Sequence, residues 1–272
     1  MNPKLMNPVL LKEIKLRFRN AKSFSSLVFY LIAITLFILA YFVIMSGLLD
    51  GGYVSPEMSF ILFCSLTVLQ MGLLLFMAPA LTAGAISTER EKQTLNMLLT
   101  TTQTSQQIII GKLGASLAYL IVLLIATLPM YSILFLFGGV SPSMLIKVFL
   151  LFLLTVFAIG SVGIMFSTVT KKTIVSMIST YGVTIFLVIF TAIFFFVGLV
   201  NQNGNSEMIF SYVCLSLNPI AVALGVVSPD IAIAIKEMTN LALSPVYVYI
   251  GFYIVLSVVS LIIAVKKLRA TT

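Results

Sequence analysis

Six stretches of this chain are apolar for long enough to cross a lipid bilayer, and every other feature has to be fitted around them. They run from Phe24 to Leu48, Met58 to Ile86, Ile108 to Phe137, Met144 to Val169, Thr173 to Val200 and Pro245 to Val265. A spanning helix needs about 20 predominantly apolar residues. The second and third stretches exceed that by several residues, so they must tilt, kink or project into water. Pro79 and Pro129 are the expected kink points, because proline removes one helical hydrogen bond. Only 9% of the 272 residues are charged and the mean hydropathy is +1.17, against about 25% charged residues in a soluble domain. The fold class is therefore an all-α polytopic membrane protein, with residues 1–272 forming one transmembrane domain. No cleavable signal peptide is expected, since the first apolar run follows a basic helical segment and has full spanning length.

Lysine and arginine set the orientation. With both termini on the cytoplasmic side, 14 of the 16 basic residues lie inside, and only Lys147 and Lys236 fall outside. That bias is the signature of positive-inside topology. It also explains the net charge of +8 without nucleic acid as a partner. The segment Asn201 to Ser244 is moderately apolar, and Met208 to Val227 could span. A seventh span would carry the basic C-terminus outside, so an external subdomain of short helices, dipping part-way into the membrane, is the expected form. Ser228-Pro229-Asp230 reads as a helix start. The N-terminal stretch 1–22 mixes Leu10, Leu11, Ile14, Leu16 and Phe18 with Lys12, Lys15, Arg17 and Arg19. It fits a helix lying on the inner leaflet among anionic lipid heads; the alternative is a basic tail that only sets topology. With no histidine, the commonest metal ligand and general base is missing. Cys64 and Cys214 sit in apolar surroundings and read as buried free thiols.

Between the second and third spans, residues 87–107 must surface. Ser87-Thr88-Glu89-Arg90-Glu91-Lys92 carries four consecutive charges, which cannot lie in hydrocarbon. Thr88 with Glu91 has the spacing of a capping box, and Leu95, Leu98 and Leu99 then form an apolar stripe at helical spacing. Thr104 with Gln107 offers a second capping box that opens the third span. The loop thus reads as a short amphipathic helix, either a docking element for a soluble partner or a connector whose leucines pack on its own spans.

The run from Gly84 to Leu99, followed by Gly111-Lys112-Leu113, resembles the permease subunits of ABC type-2 transporters. That family shows a Ser-x-Glu-Arg-Glu-x-Gly-Thr-Leu-x-x-Leu-Leu run, a threonine-rich turn and a Gly-Lys entering the next span. Asn7-Pro8-Val9-Leu10-Leu11-Lys12-Glu13 resembles the start of one branch of it. Gln93 stands where the family often has glycine, a change a helix interior would favour. The resemblance implies a permease half that pairs with a second, identical or related, permease in a bacterial cell membrane. It also implies that 87–107 is a coupling helix entering a cleft of a separate ATP-binding-cassette subunit. Thr88, Glu89, Arg90, Glu91, Thr94, Leu95, Leu98 and Leu99 would then contact that partner, with Lys12, Lys15, Arg17 and Arg19 on a connector helix beside it. ATP and magnesium would be bound in the partner. Gly111-Lys112 lacks the upstream glycine of a phosphate-binding loop, so no enzyme activity or cofactor is expected here.

Gln70 and Thr67, polar at membrane depth in the second span, are candidates for a substrate path or dimer interface; a local hydrogen bond is the plainer reading of Gln70. No charged residue is firmly placed inside a span, and a relay would need a carboxylate at depth, which argues against an ion relay. An exporter of a hydrophobic or amphiphilic substrate (lipid-like, peptide or drug) is the leading function, and a membrane scaffold that recruits a cytosolic partner without transport is the alternative.

Overall fold

The computed structural model describes residues 8–19, 21–48, 55–95, 103–200, 205–228 and 244–270. Among them all regular structure is helical, as it must be where no water is at hand to satisfy an open backbone. The order is α1 (Pro8–Arg19), α2 (Ala21–Leu48), α3 (Pro56–Thr82), α4 (Ser87–Glu91), α5 (Ser105–Phe137), α6 (Pro142–Val169), α7 (Thr173–Ile185), a π turn (Phe186–Phe190), α8 (Thr191–Val200), α9 (Asn205–Leu217), α10 (Pro219–Val227) and α11 (Pro245–Ala270). Six of these units, with α7–α8 counted as one, are long and apolar enough to cross a membrane, and their bounds agree with the six apolar runs to within a few residues.

Local sequence sets the helix starts. Ser55 and Ser141 cap α3 and α6, each with proline at the first helical position, where the lost N–H is unneeded. Thr104 and Gln107 close a full capping box on α5. Helices α3 and α5 each continue as one helix through Pro79 and Pro129.

The buried centre is α6, 67% of whose most apolar window is covered, against 17% for α2 and for α7–α8. Helices α3, α5, α10 and α11 pack around α6. Outward-facing Phe29, Leu36 and Val43 leave α2 with an apolar face suited to lipid. Its inward stripe is narrow: Tyr30, Ile34 and Ile38. Helix α6 crosses α3 very closely at Gly163, where an added Cβ would stand 2.1 Å from Thr82 Oγ1.

The described part of 201–244 forms two short helices, as expected, and they pack on the main bundle. Helices α9 and α10 meet at 90° at Asn218, and Val222, Ala223 and Val227 join the main core beside α3 and α6. Asn218 causes the bend: its Oδ1 accepts the N–H groups of Ile220 and Ala221, capping α10. Its Nδ2 donates 2.8 Å to Val188 O inside the π turn, so the widened turn supplies a carbonyl for the amide. Ser228 follows the last residue of α10; residues 229–243, where the next helix was expected, lie outside the described residues.

Candidate functional site: a charged clamp at one end of the bundle

The N-terminal helix, the turn after α3, the start of α5, the α6–α7 connection and the end of α11 come together at one end of the bundle. Helix α1 lies against the first half of α5, with Leu10 seated over Gly114 at a distance that leaves only 3.0 Å for an added Cβ. Helix α4 follows α3 across the short turn 83–86, and the pair reads as a single run of 36 residues. At 1.5 Å per residue that is about 54 Å, well beyond the ~30 Å hydrocarbon, so part of the run must project beyond it.

Each charge of α4 fastens a different element. Glu89 reaches α5: Lys112 Nζ donates to Glu89 Oε1 and to Glu13 Oε1 of α1, both at 3.1 Å. Lys112 is only 5% exposed, an interior cation made tolerable by two carboxylates. Arg90 reaches the end of α6, donating 2.8 Å to Thr170 O and 3.0 Å to Thr168 O. A guanidinium there satisfies terminal carbonyls and complements the helix dipole. Glu91 reaches the start of α7, accepting 2.7 Å from Thr173 N–H and 2.9 Å from its hydroxyl. Lys172, the residue before α7, makes no side-chain cap, so Glu91 caps that helix from another part of the chain.

The uncharged residues complete the clamp. Ser167 Oγ accepts the N–H groups of Ile86 and Ser87 at 2.8 and 2.9 Å. Ser176 Oγ donates 2.6 Å to Ala83 O. Burial pushes the Glu89 carboxyl up, but the Thr94 hydroxyl and Lys112 outweigh it and hold it below its ordinary value. The Thr173 N–H and hydroxyl hold Glu91 below its ordinary value as well.

The turn that ends α4 corrects the reading of Gln93. Gln93 has φ +57°, with its N–H bonded to Arg90 O and Thr94 N–H to Glu89 O. This is a Schellman ending, whose left-handed position glycine fills most easily. The family's glycine therefore answers a backbone requirement, and glutamine there is strained rather than favoured. The expected capping box is absent for a related reason. Ser167 already takes the free N–H groups of Ile86 and Ser87, Glu91 is engaged at α7, and Thr88 faces Thr173 across 3.3 Å.

The apolar stripe does not run along α4. Leu95 lies beyond the Schellman turn and is 3% exposed. It packs in a cluster with Ile86, Ile108, Ile109, Leu113, Ile164, Ala264 and Leu268 of the same chain. Leu95 thus anchors the loop to its own spans, and only Leu98 and Leu99, outside the described residues, are left as candidates for a partner-facing stripe. Glu91, Lys92, Gln93 and Thr94 form the exposed crest. On α1, Lys12, Lys15 and Arg19 are exposed; the Arg17 side chain lies outside the described ones. Thr94 is turned back to Glu89, its hydroxyl 2.6 Å from Oε2.

Gln70 and Thr67 are elsewhere, buried inside the bundle at 1% and 0% exposure. Neither lies on an outer face of the chain. Thr67 donates to Phe63 O of its own helix. Gln70 lies beside the Tyr30 hydroxyl and Thr67 beside that of Tyr131, but the Gln70 amide and the two hydroxyls make no hydrogen bond of good geometry.

Lys112, Glu13, Ser167 and Thr173 are the clamp residues that sequence reading passed over as side chains. Lys112 lies within α5 near the loop end. A lysine inside an apolar run, with acids available on two flanking segments, was the signal.

A family model described as ABC-2 family transporter protein matches residues 9–266. No curated protein matches the chain.

Proposed function

The chain belongs to the ABC-2 family of transporter proteins, and from that premise we propose that it is the permease half of an ATP-driven exporter. It partners with an ATP-binding-cassette subunit, which binds ATP and magnesium, and with a second permease of the same or related sequence. The substrate is hydrophobic or amphiphilic, in keeping with a bundle whose only described interior cation, Lys112, is neutralised at one end. Gln70, Thr67, Tyr30 and Tyr131 supply uncharged polar groups for its path.

The clamp is the observation that carries this reading. A transporter whose ATP is hydrolysed elsewhere needs a rigid receiver for the partner's motion. Here one five-residue helix is tied by side chains to α5, α6 and α7, and through Lys112 to α1. The partner meets the exposed crest Lys92-Gln93-Thr94 and the adjoining Leu98 and Leu99, with the exposed lysines of α1 and Lys171-Lys172 around them. Glu89, Arg90 and Glu91 act from behind, holding the crest in place. A buried leucine contributes roughly 1.5–3 kcal/mol and an exposed ion pair about 0–1 kcal/mol, so the leucines dominate affinity.

Co-purification with the cognate ATP-binding subunit, together with the ATPase rate, tests this. Leu98→Asp should detach the partner. Lys112→Ala should keep the partner but lower transport-coupled ATPase, since two half-buried carboxylates lose their cation and α1 is freed from the loop. A Leu98→Asp variant that binds and couples like the parent would refute the docking role. A complex that never hydrolyses ATP faster with substrate would favour a scaffold.

A further inference from the structure

A cavity of about 440 Å³ opens at the opposite end of the bundle, between α6, α10 and the start of α11. Lys147, Leu150, Leu151 and Leu154 form one wall, and Val226, Val246, Tyr247 and Ile250 face them. The four α6 residues follow the spacing i, i+3, i+4, i+7, so they share one helix face. Lys147 stands about 7–8 Å along α6 from Pro142, and Leu154 about 10 Å further towards the middle of the helix. Reading inward, the cavity therefore offers a cation, then a leucine stripe.

Lys147 is exposed, is the only charged residue among the described lining residues, and has no ion partner among the described residues. Ser244 and Tyr247 add hydroxyls to the lining. The first turn of α11 begins here, and its dipole favours negative charge.

We propose that this cavity is a binding site for an anionic phospholipid of the surrounding bilayer, with the phosphate at Lys147 and an acyl chain along Leu150, Leu151, Leu154 and Ile250. The apolar walls rule out a bare phosphate as the fitting ligand, and the unpaired cation selects against a headgroup of zero net charge. The site is distinct from the clamp and from the Tyr30–Gln70–Tyr131 region, so occupancy is a property of the chain alone.

The test uses the purified full chain in neutral detergent, titrated with phosphatidylglycerol or phosphatidylcholine and read by thermal midpoint and by binding of a fluorescent phosphatidylglycerol. Phosphatidylglycerol should raise the midpoint more than phosphatidylcholine. Lys147→Gln should weaken its binding roughly tenfold or more, the loss of one charge-assisted hydrogen bond. Leu150→Trp, at a position already 61% exposed, should block the groove and abolish the response. Lys266→Gln with Lys267→Gln, at the other end, should leave it unchanged. Equal response to both lipids, a parent-like Lys147→Gln, or the same stabilisation by soluble glycerol phosphate would overturn the proposal. A loss of stability in Leu150→Trp before any lipid is added would show that the chain fills its own groove, and would overturn it equally. No readout depends on ATP or transport, so failure here leaves the exporter reading untouched.

Discussion

Gln93 carries a backbone conformation that suits another residue. A left-handed φ costs a residue with a Cβ roughly 1–2 kcal/mol, and the Schellman bonds to Glu89 and Arg90 hold it there. Gln93→Gly should raise stability by about 1 kcal/mol, visible as a higher thermal midpoint in detergent; a lower midpoint would mean that the glutamine side chain supports the turn. Gln70 is the converse case, a good helix residue with an unmet side chain. Replacing an unsatisfied buried amide by an apolar group of similar size removes a desolvation penalty of about 1–3 kcal/mol. Gln70→Leu should therefore stabilise the chain. If its midpoint falls instead, ordered water is already satisfying the amide.

At the scale of elements, what decides success or failure is whether a helix can approach its neighbour. Gly163→Ala would force a methyl into Thr82, whose hydroxyl is itself bonded to Ala78 O at 2.7 Å. The expected cost is about 1–3 kcal/mol, as for other overpacked sites. Gly72, also inside a helix, has nothing within 4 Å of an added Cβ, so Gly72→Ala should be stabilising by about 0.5–1 kcal/mol. Paired thermal melts check the contrast, and equal shifts would place the α3–α6 crossing elsewhere. The same distinction explains what sequence could tell. Spans were legible because hydrocarbon imposes length and apolarity on each segment by itself. The Thr104–Gln107 cap was legible because both partners lie in one turn. The intrachain bonds of the α4 charges were not legible because their partners, Lys112, Thr168, Thr170 and Thr173, come from elements remote in sequence. Only packing brings them within reach of one turn. Asn218 was passed over for the same reason: its amide serves a π turn 30 residues earlier.

For the molecule as a whole, the contacts gather Lys12, Lys15, Arg19, Lys92, Lys112, Lys171, Lys172, Lys266 and Lys267 at one end and leave Lys147 at the other. That segregation is the physical basis for putting the clamp end in the cytoplasm. In a background with Cys64 and Cys214 replaced by alanine, Ser143→Cys should react with an impermeant maleimide on intact cells and Lys172→Cys should not. The reverse pattern would invert the topology. The close crossing of α3 and α6 then acquires a mechanical meaning. Gly163 lies ~9 Å from the clamp end of α6 and ~32 Å from its other end. With the rods pressed together at that point, it is a fulcrum with arms of unequal length. A tilt that moves the clamp end by about 1 Å swings the far end by roughly 3–4 Å, so the crossing converts a small motion at one end of α6 into a larger one at the other.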